Sequence, residues 1–331
     1  MGGNLFKLGR RPRGQYLLIE DAVRDVLHYL LGGDGYRIPR YYASKPDFGD
    51  LDVIVSRAAI EMLGGWDRFC NEIATRLEVT QSKSVGHVYS TVAWNFQVDY
   101  FIRAPELFEA TYHYMSFNDL GNLIGKIFRR LGLKYGEHGL SYVFRRESQP
   151  SYKHELLVSR DWPKILGFLE LDVAAWEAGF DDLEQMFRWV VASPYFSVAP
   201  YQNQDRARTT ERRARSRPTM ARFIAWLEAE GVDKRCDYLE GRDAYVEQIA
   251  AAFPEAGLVA ALARERAREQ EAAALRSKFS GGLVREWTGL EGPQLGAFLR
   301  RFGEAYPSET LATMEGEAIR AAVEGFARPK D

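Results

Sequence analysis

Two aspartates stand two positions apart in Gly49-Asp50-Leu51-Asp52 and run directly into the apolar stretch Val53-Ile54-Val55. Side chains i and i+2 of a β-strand project from the same face, so Asp50 and Asp52 should point the same way at a strand start. Carboxylates this close repel unless a cation lies between them. Paired hard oxygen donors suit Mg²⁺. A lone Asp-x-Asp also suits a solvated turn, and a second acid decides between the two. The run from Asn95 to Ile102 carries Asp99 among apolar residues, and an ionised Asp in a buried strand is costly without a partner. If the two strands pair, Asp99 joins Asp50 and Asp52 as a third ligand. Three convergent carboxylates can hold two divalent cations about 3.5–4 Å apart, the arrangement used for in-line phosphoryl transfer.

The elements that must position these acids follow from periodicity. Leu17, Leu18, Val23, Val26, Leu27, Leu30 and Leu31 recur at helical spacing and predict an amphipathic helix from about Tyr16 to Leu31, ended by Gly32-Gly33. Strands are expected at Tyr36–Tyr42 and Leu51–Val55, with a helix from about Ala58 to Leu77. Val85 to Ile102 reads as strands turning near Trp94-Asn95, and a helix follows over Asn118–Leu131. A strand piece lies around Leu140–Phe144. Beyond Trp162 the pattern is helical nearly to the end, with candidates at Trp162–Leu169, Asp182–Ala192, Thr219–Glu230, Ala244–Phe253 and Leu258–Lys278. The fold class is therefore α+β: a small mixed sheet in residues 1–160 and a helical region in residues 161–331, with a basic linker around 202–218.

Bulk properties narrow the function. The 331 residues allow about two domains. With 44 Lys and Arg against 46 Asp and Glu, no global field argues for nucleic acid, so local charge matters more. Cys70 and Cys236 lie too far apart for a metal or redox motif and read as reduced thiols. The five histidines are scattered and suggest no zinc site. The start is basic but lacks an apolar core, and no apolar run is long enough to span a bilayer. A cytoplasmic protein with no membrane partner is expected.

The Gly49–Asp52 strand followed by Asp99 on a later strand resembles the DNA polymerase β-like nucleotidyltransferase superfamily, which includes family X DNA polymerases, poly(A) polymerases and CCA-adding enzymes. Tyr114-Met115-Ser116-Phe117-Asn118-Asp119-Leu120-Gly121-Asn122 is similar to the segment where family X polymerases hold the incoming nucleotide. Leu133–Leu140 resembles the Gly-rich, Glu-containing hairpin that closes the same subdomain. The resemblance covers roughly residues 36–146. It implies that Asp50, Asp52 and Asp99 are catalytic metal ligands for two Mg²⁺ ions, with Mn²⁺ as a substitute. It implies nucleotide contacts from Gly49 and Tyr114, with Asp119 and Asn122 near the base. Two departures stand out. The Gly-Ser pair usual about ten residues before the first acid is absent, leaving Arg40, Ser44 or Lys45 to supply charge or a donor to the triphosphate, and Phe117 replaces a glycine. The lyase and helix-hairpin-helix units that precede many family X cores do not precede this one, which argues against a gap-filling repair enzyme.

Further basic features suggest a polyanionic substrate. Lys126, Arg129 and Arg130 near the end of the Asn118–Leu131 helix suit the helix dipole, and beside a nucleotide they can also meet phosphates. Arg208, Arg212, Arg213, Arg215 and Arg217 concentrate charge in one polar stretch and read either as a solvated loop or as a nucleic-acid contact. The run Phe279–Leu299 reads as helix, glycine-bounded turn, helix. It looks like the helical unit near the tail of bacterial CCA-adding enzymes, which draws the acceptor toward RNA 3′ ends. The expected reaction is transfer of a nucleoside monophosphate from a nucleoside triphosphate to the 3′-hydroxyl of a nucleic acid, RNA or tRNA favoured. A template-directed DNA polymerase and an inactive nucleic-acid or protein binding module are the alternatives.

Overall fold

A computed structural model describes residues 5–146, 152–202, 218–241 and 243–327. The fold is α+β, with a mixed five-stranded sheet and an all-helical C-terminal region. The sheet uses β2 (Tyr36–Arg37), β4 (Leu51–Ser56), β5 (Gln81–Val85), β6 (Val88–Ala93) and β7 (Phe96–Arg103), in the order β2-β4-β7-β6-β5. Only the β4–β7 pair is parallel; the other three pairings are antiparallel. A short pair, β1 (Arg11–Pro12) with β3 (Asp47–Phe48), lies just upstream of β4.

Strand alternation divides the sheet chemically. Leu51, Val53 and Val55 of β4 and Phe96, Val98, Tyr100 and Ile102 of β7 share one core with Tyr16, Ile19, Val23 and Leu27 of α1 (Arg13–Leu31) and with Phe69 and Ile73 of α3 (Trp66–Arg76). The intervening positions Asp52, Gln97 and Asp99 therefore belong to the opposite face. Burying the apolar face, at about 25 cal/mol per Å², is what holds the acidic face together.

Several expected elements are altered locally. The helix expected over Ala58–Leu77 is two helices, α2 (Arg57–Leu63) and α3, because Gly64 (φ 116) and Gly65 (φ 97) adopt conformations that suit glycine alone. The strand expected over Tyr36–Tyr42 stops at Arg37. Pro39 cannot donate to a ladder, and the following chain bonds elsewhere: Ala43 N donates to Phe180 O and Ser44 N to Asp181 O. The β6–β7 turn falls at Trp94-Asn95 as expected, with both residues left-handed (φ 51 and 54), the pairing a two-residue hairpin of this twist requires. A strand at β10 (Lys153–Ser159) was not anticipated; it forms a three-stranded sheet in the order β10-β9-β8 with β9 (Gly139–Arg145) and β8 (Leu133–Gly136).

The composition break near residue 160 is not a structural boundary. One compact unit comprises Met1–Val143 and Leu156–Ala256, and the other Phe144–Glu155 and Gly257–Asp331. Within the first unit, polar ties bind the segment from Trp162 to Ala256 to the sheet-bearing part: Tyr201 Oη donates to Leu123 O at 2.8 Å, and Tyr142 bonds Asp243. The second unit has its own core of Val284, Phe298, Phe302, Leu311, Ile319 and Val323. The helix-turn-helix expected over Phe279–Leu299 is present there as Gly281–Thr288 and Gly292–Ala305, joined through left-handed Gly289. No single helix among the described residues is long and apolar enough to cross a membrane.

In the first unit, His113 of α4 (Pro105–Met115) stacks on Trp162 with ring centroids 5.4 Å apart, and burial pushes its pKa down to about 4. The unfolded chain, titrating near 6.5, then binds this proton more readily than the folded one. Stability should be full above that value and fall as pH drops toward 4. Urea midpoints between pH 7 and pH 5 should decline, and His113→Phe should flatten the decline; an unchanged slope in the variant would assign it to other groups.

Candidate metal centre

The parallel register sets Asp52 of β4 directly opposite Asp99 of β7. Asp50, immediately before β4, brings its carboxylate into the same group, and one oxygen from each of the three lies within 4.8 Å of the others. Asp52 feels the crowding most. Burial, then Asp50, then Asp99 push its pKa well above the ordinary carboxylate range. Asp99 is also raised by burial and by Asp50, but hydrogen bonds from Ser90 and Gln97 pull it back. Gln97 Nε2 donates to both Asp99 oxygens, at 3.0 and 2.8 Å. Ser90 is the β6 residue opposite Asp99.

These groups fit a divalent cation. They are all hard oxygen donors, they converge from two strands and a loop, and their mutual repulsion is the kind that a bound cation relieves. Lys45 adds positive charge nearby. Burial lowers its pKa to about 8, while Asp52 and Asp50 act in the opposite sense. Its Nζ donates to Asn118 Oδ1 at 3.0 Å and lies 4.2 Å from the centre of the Phe48 ring. Phe48 is stacked in turn on Tyr16 of α1, centroids 3.6 Å apart and 6° from parallel, which holds the chain just before Gly49. Gly49 itself is buried. Asn118 reaches Lys45 from a tight connection between α4 and α5 (Leu120–Arg130), where Phe117 and Asn118 are both left-handed (φ 58 and 59). Side chains other than glycine rarely hold that conformation.

The remaining expected site residues are dispersed. Arg40 donates through Nη1 to Trp176 O at 2.8 Å and stacks over Phe117 and Trp176, so its guanidinium is engaged in packing. Ser44 is exposed. The Tyr114 ring meets Tyr135 edge-on, centroids 5.5 Å apart, and its carbonyl stands where a side chain on Gly121 would come within 2.7 Å. Asp119 precedes α5 and accepts from Asn122 Nδ2 at 3.1 Å. Lys126 donates to Pro200 O at 2.9 Å. Arg129 and Arg130 are exposed at the end of α5, with Arg130 5.8 Å from the centre of Tyr238. Arg208, Arg212, Arg213, Arg215 and Arg217 lie outside the described residues. Gln97, Ser90 and Asn118 were not assigned from the sequence. Gln97 could have been, since it stands two positions before Asp99 and so on its face.

No family model matches this chain, and no curated protein matches it in sequence.

Two outcomes test the centre. In EDTA, Asp52→Asn should melt a few degrees above the wild type, because a neutral isostere replaces the most crowded carboxylate. Millimolar Mg²⁺ or Mn²⁺ should raise the melting temperature of the wild type alone, and a wild type unmoved by either ion would rule the centre out. Gln97→Leu should weaken Mn²⁺ binding about tenfold by loosening Asp99, measured by titration calorimetry.

Proposed function

We propose that this chain is a metal-dependent nucleotidyltransferase that moves a nucleoside monophosphate from a nucleoside triphosphate to the 3′-hydroxyl of a nucleic acid, an RNA 3′ end in preference. The convergence of Asp50, Asp52 and Asp99 within 4.8 Å carries this reading. The three would hold two Mg²⁺ ions, with Mn²⁺ as a substitute. Bound there, such ions neutralise phosphate charge and lower the pKa of a coordinated hydroxyl.

The chain's own groups account for the rest. Gln97 keeps both Asp99 oxygens oriented and lets the carboxylate accept the proton of the attacking hydroxyl. Lys45, held by Asn118, offers its charge to the triphosphate. The acceptor oxygen bonds to the α-phosphorus, the α–β bond breaks, and pyrophosphate leaves with the electron pair. Positioning and charge neutralisation supply most of such catalysis, so a small constellation suffices. The free thiols of Cys70 and Cys236 suit the reducing cytoplasm.

One observation favours a second reading, template-directed deoxynucleotide addition. Phe117 is left-handed (φ 58) where the family X pattern has glycine, the residue that takes this conformation most readily. Incubation of the protein with each radiolabelled ribo- and deoxyribonucleotide, RNA or DNA primers and Mg²⁺ separates the readings. Untemplated ribonucleotide addition is expected; templated deoxynucleotide addition would favour the second, and no incorporation would reject both. Asp99→Asn should reduce turnover below detection while melting in EDTA no lower than the wild type, and a variant that retains activity would remove Asp99 from the mechanism.

A further inference from the structure

The segment Lys7 to Arg13 carries Lys7, Arg10, Arg11 and Arg13 with no acid among them. It is pinned beside the acidic centre. Arg11 and Pro12 pair with Phe48 and Asp47, two to three positions before Asp50, and Arg13 N donates to Pro46 O at 2.9 Å. Arg10 is anchored to Asp47 at 2.6 Å and is largely neutralised by it. Among the described residues, no acid forms an ion pair with Lys7, Arg11 or Arg13. Lys7 is exposed. Arg11 Nη2 donates to the carbonyls of Asn95 (3.0 Å) and Trp94 (3.4 Å), which leaves its charge intact. The Arg13 guanidinium lies 5.5 Å from the centre of the Tyr41 ring, with Nη1 buried and lacking an acceptor.

Arg11 also fixes the tip of the β6–β7 hairpin. Trp94 there is 41% exposed and is held in a left-handed conformation (φ 51) that a bulky residue rarely adopts. The tip stands at the end of β7 from which Gln97 and Asp99 follow, so residue Trp94 lies at the same end of the sheet as the acids. A row of cations beside an exposed aromatic ring is the pairing that binds single-stranded nucleic acid: charge follows the backbone and the ring takes a base face. We infer that Lys7, Arg11, Arg13 and Trp94 form the track that carries a single-stranded nucleic acid to the acidic centre. The inference rests on the proposed nucleotidyl transfer for what happens at the strand's end, but strand binding itself needs neither nucleotide nor cation.

The test is fluorescence anisotropy of labelled ten-nucleotide oligo(A) and oligo(dA) with the full chain in EDTA, over a range of salt concentrations. Replacing Lys7, Arg11 and Arg13 together by Gln should lower the slope of log Kd against log salt by about 2, since each neutralised phosphate of a single strand contributes about 0.7. Replacing the same two arginines by Lys should preserve the slope, which separates charge from folding. Trp94→Ala should weaken binding about fivefold or more, and Trp94→Phe should restore most of it. Unchanged affinity in the Gln and Ala variants, or no binding by the wild type, would overturn the inference. So would equal losses for poly-glutamate with no effect of Trp94, or a loss confined to ATP binding. Because incorporation is measured separately, nucleotide addition with unaltered strand binding would sink the track alone. Strand binding that depends on these residues without any incorporation would sink the transferase reading alone.

Discussion

The parallel pairing of β4 with β7 is the constraint on which the rest of this protein turns. Its hydrogen bonds set Asp52 opposite Asp99, and the loop entering β4 brings Asp50 to both. Asp52 and Asp99 cannot part without breaking the ladder, so their repulsion is built into the sheet. The same register buries Leu51, Val53, Val98 and Tyr100 on the other face, under α1 and α3. Apolar burial on one side thus sustains an unfavourable concentration of charge on the other. A bound cation would relieve that concentration.

Around this centre the chain uses short-range devices to hold positive charge close. Tyr16 stacks on Phe48 and steadies the approach to Gly49. Two successive left-handed residues, Phe117 and Asn118, turn the chain between α4 and α5 so that an amide reaches Lys45. Such backbone strain persists only where the surroundings over-determine it. Here they do: Phe117 N donates to Arg40 O, and the Phe117 ring packs on Trp176 and Phe180. Arg40 belongs to this scaffold. Its guanidinium is held by Trp176 and Phe117, whereas Lys45 is a cation whose charge interacts with Asp52 and Asp50.

Much of the architecture was legible in the residues. Alternation marked β4, β6 and β7, and the Trp94-Asn95 turn fell where expected. The helix Arg13–Leu31 follows its apolar spacing, and Leu258–Lys278 follows its Ala-, Arg- and Glu-rich composition. The misreadings have local causes. Gly64-Gly65 interrupts a stretch whose apolar period continues through it, so periodicity alone runs on across the break. β10 was missed because its residues, Lys153-His154-Glu155-Leu156-Leu157-Val158-Ser159, run polar then apolar and do not alternate. The residue-160 boundary failed because the shift in composition there marks a change of secondary structure. The helices from Trp162 to Ala252 still belong to the sheet-bearing unit.

The residues by themselves determined which acids are available and which face of each strand they occupy, because side-chain alternation is a local property of the backbone. They also supplied the hydrophobic periods that make helices and strands. Only the tertiary structure decided that Asp99 stands across from Asp52, that Lys45 points to the acids while Arg40 and Lys126 are spent on carbonyls, and that the basic start lies beside the centre. Strand order and register depend on contacts between segments tens of residues apart. No local preference encodes them, and a single shift of register would have sent Asp99 to the opposite face.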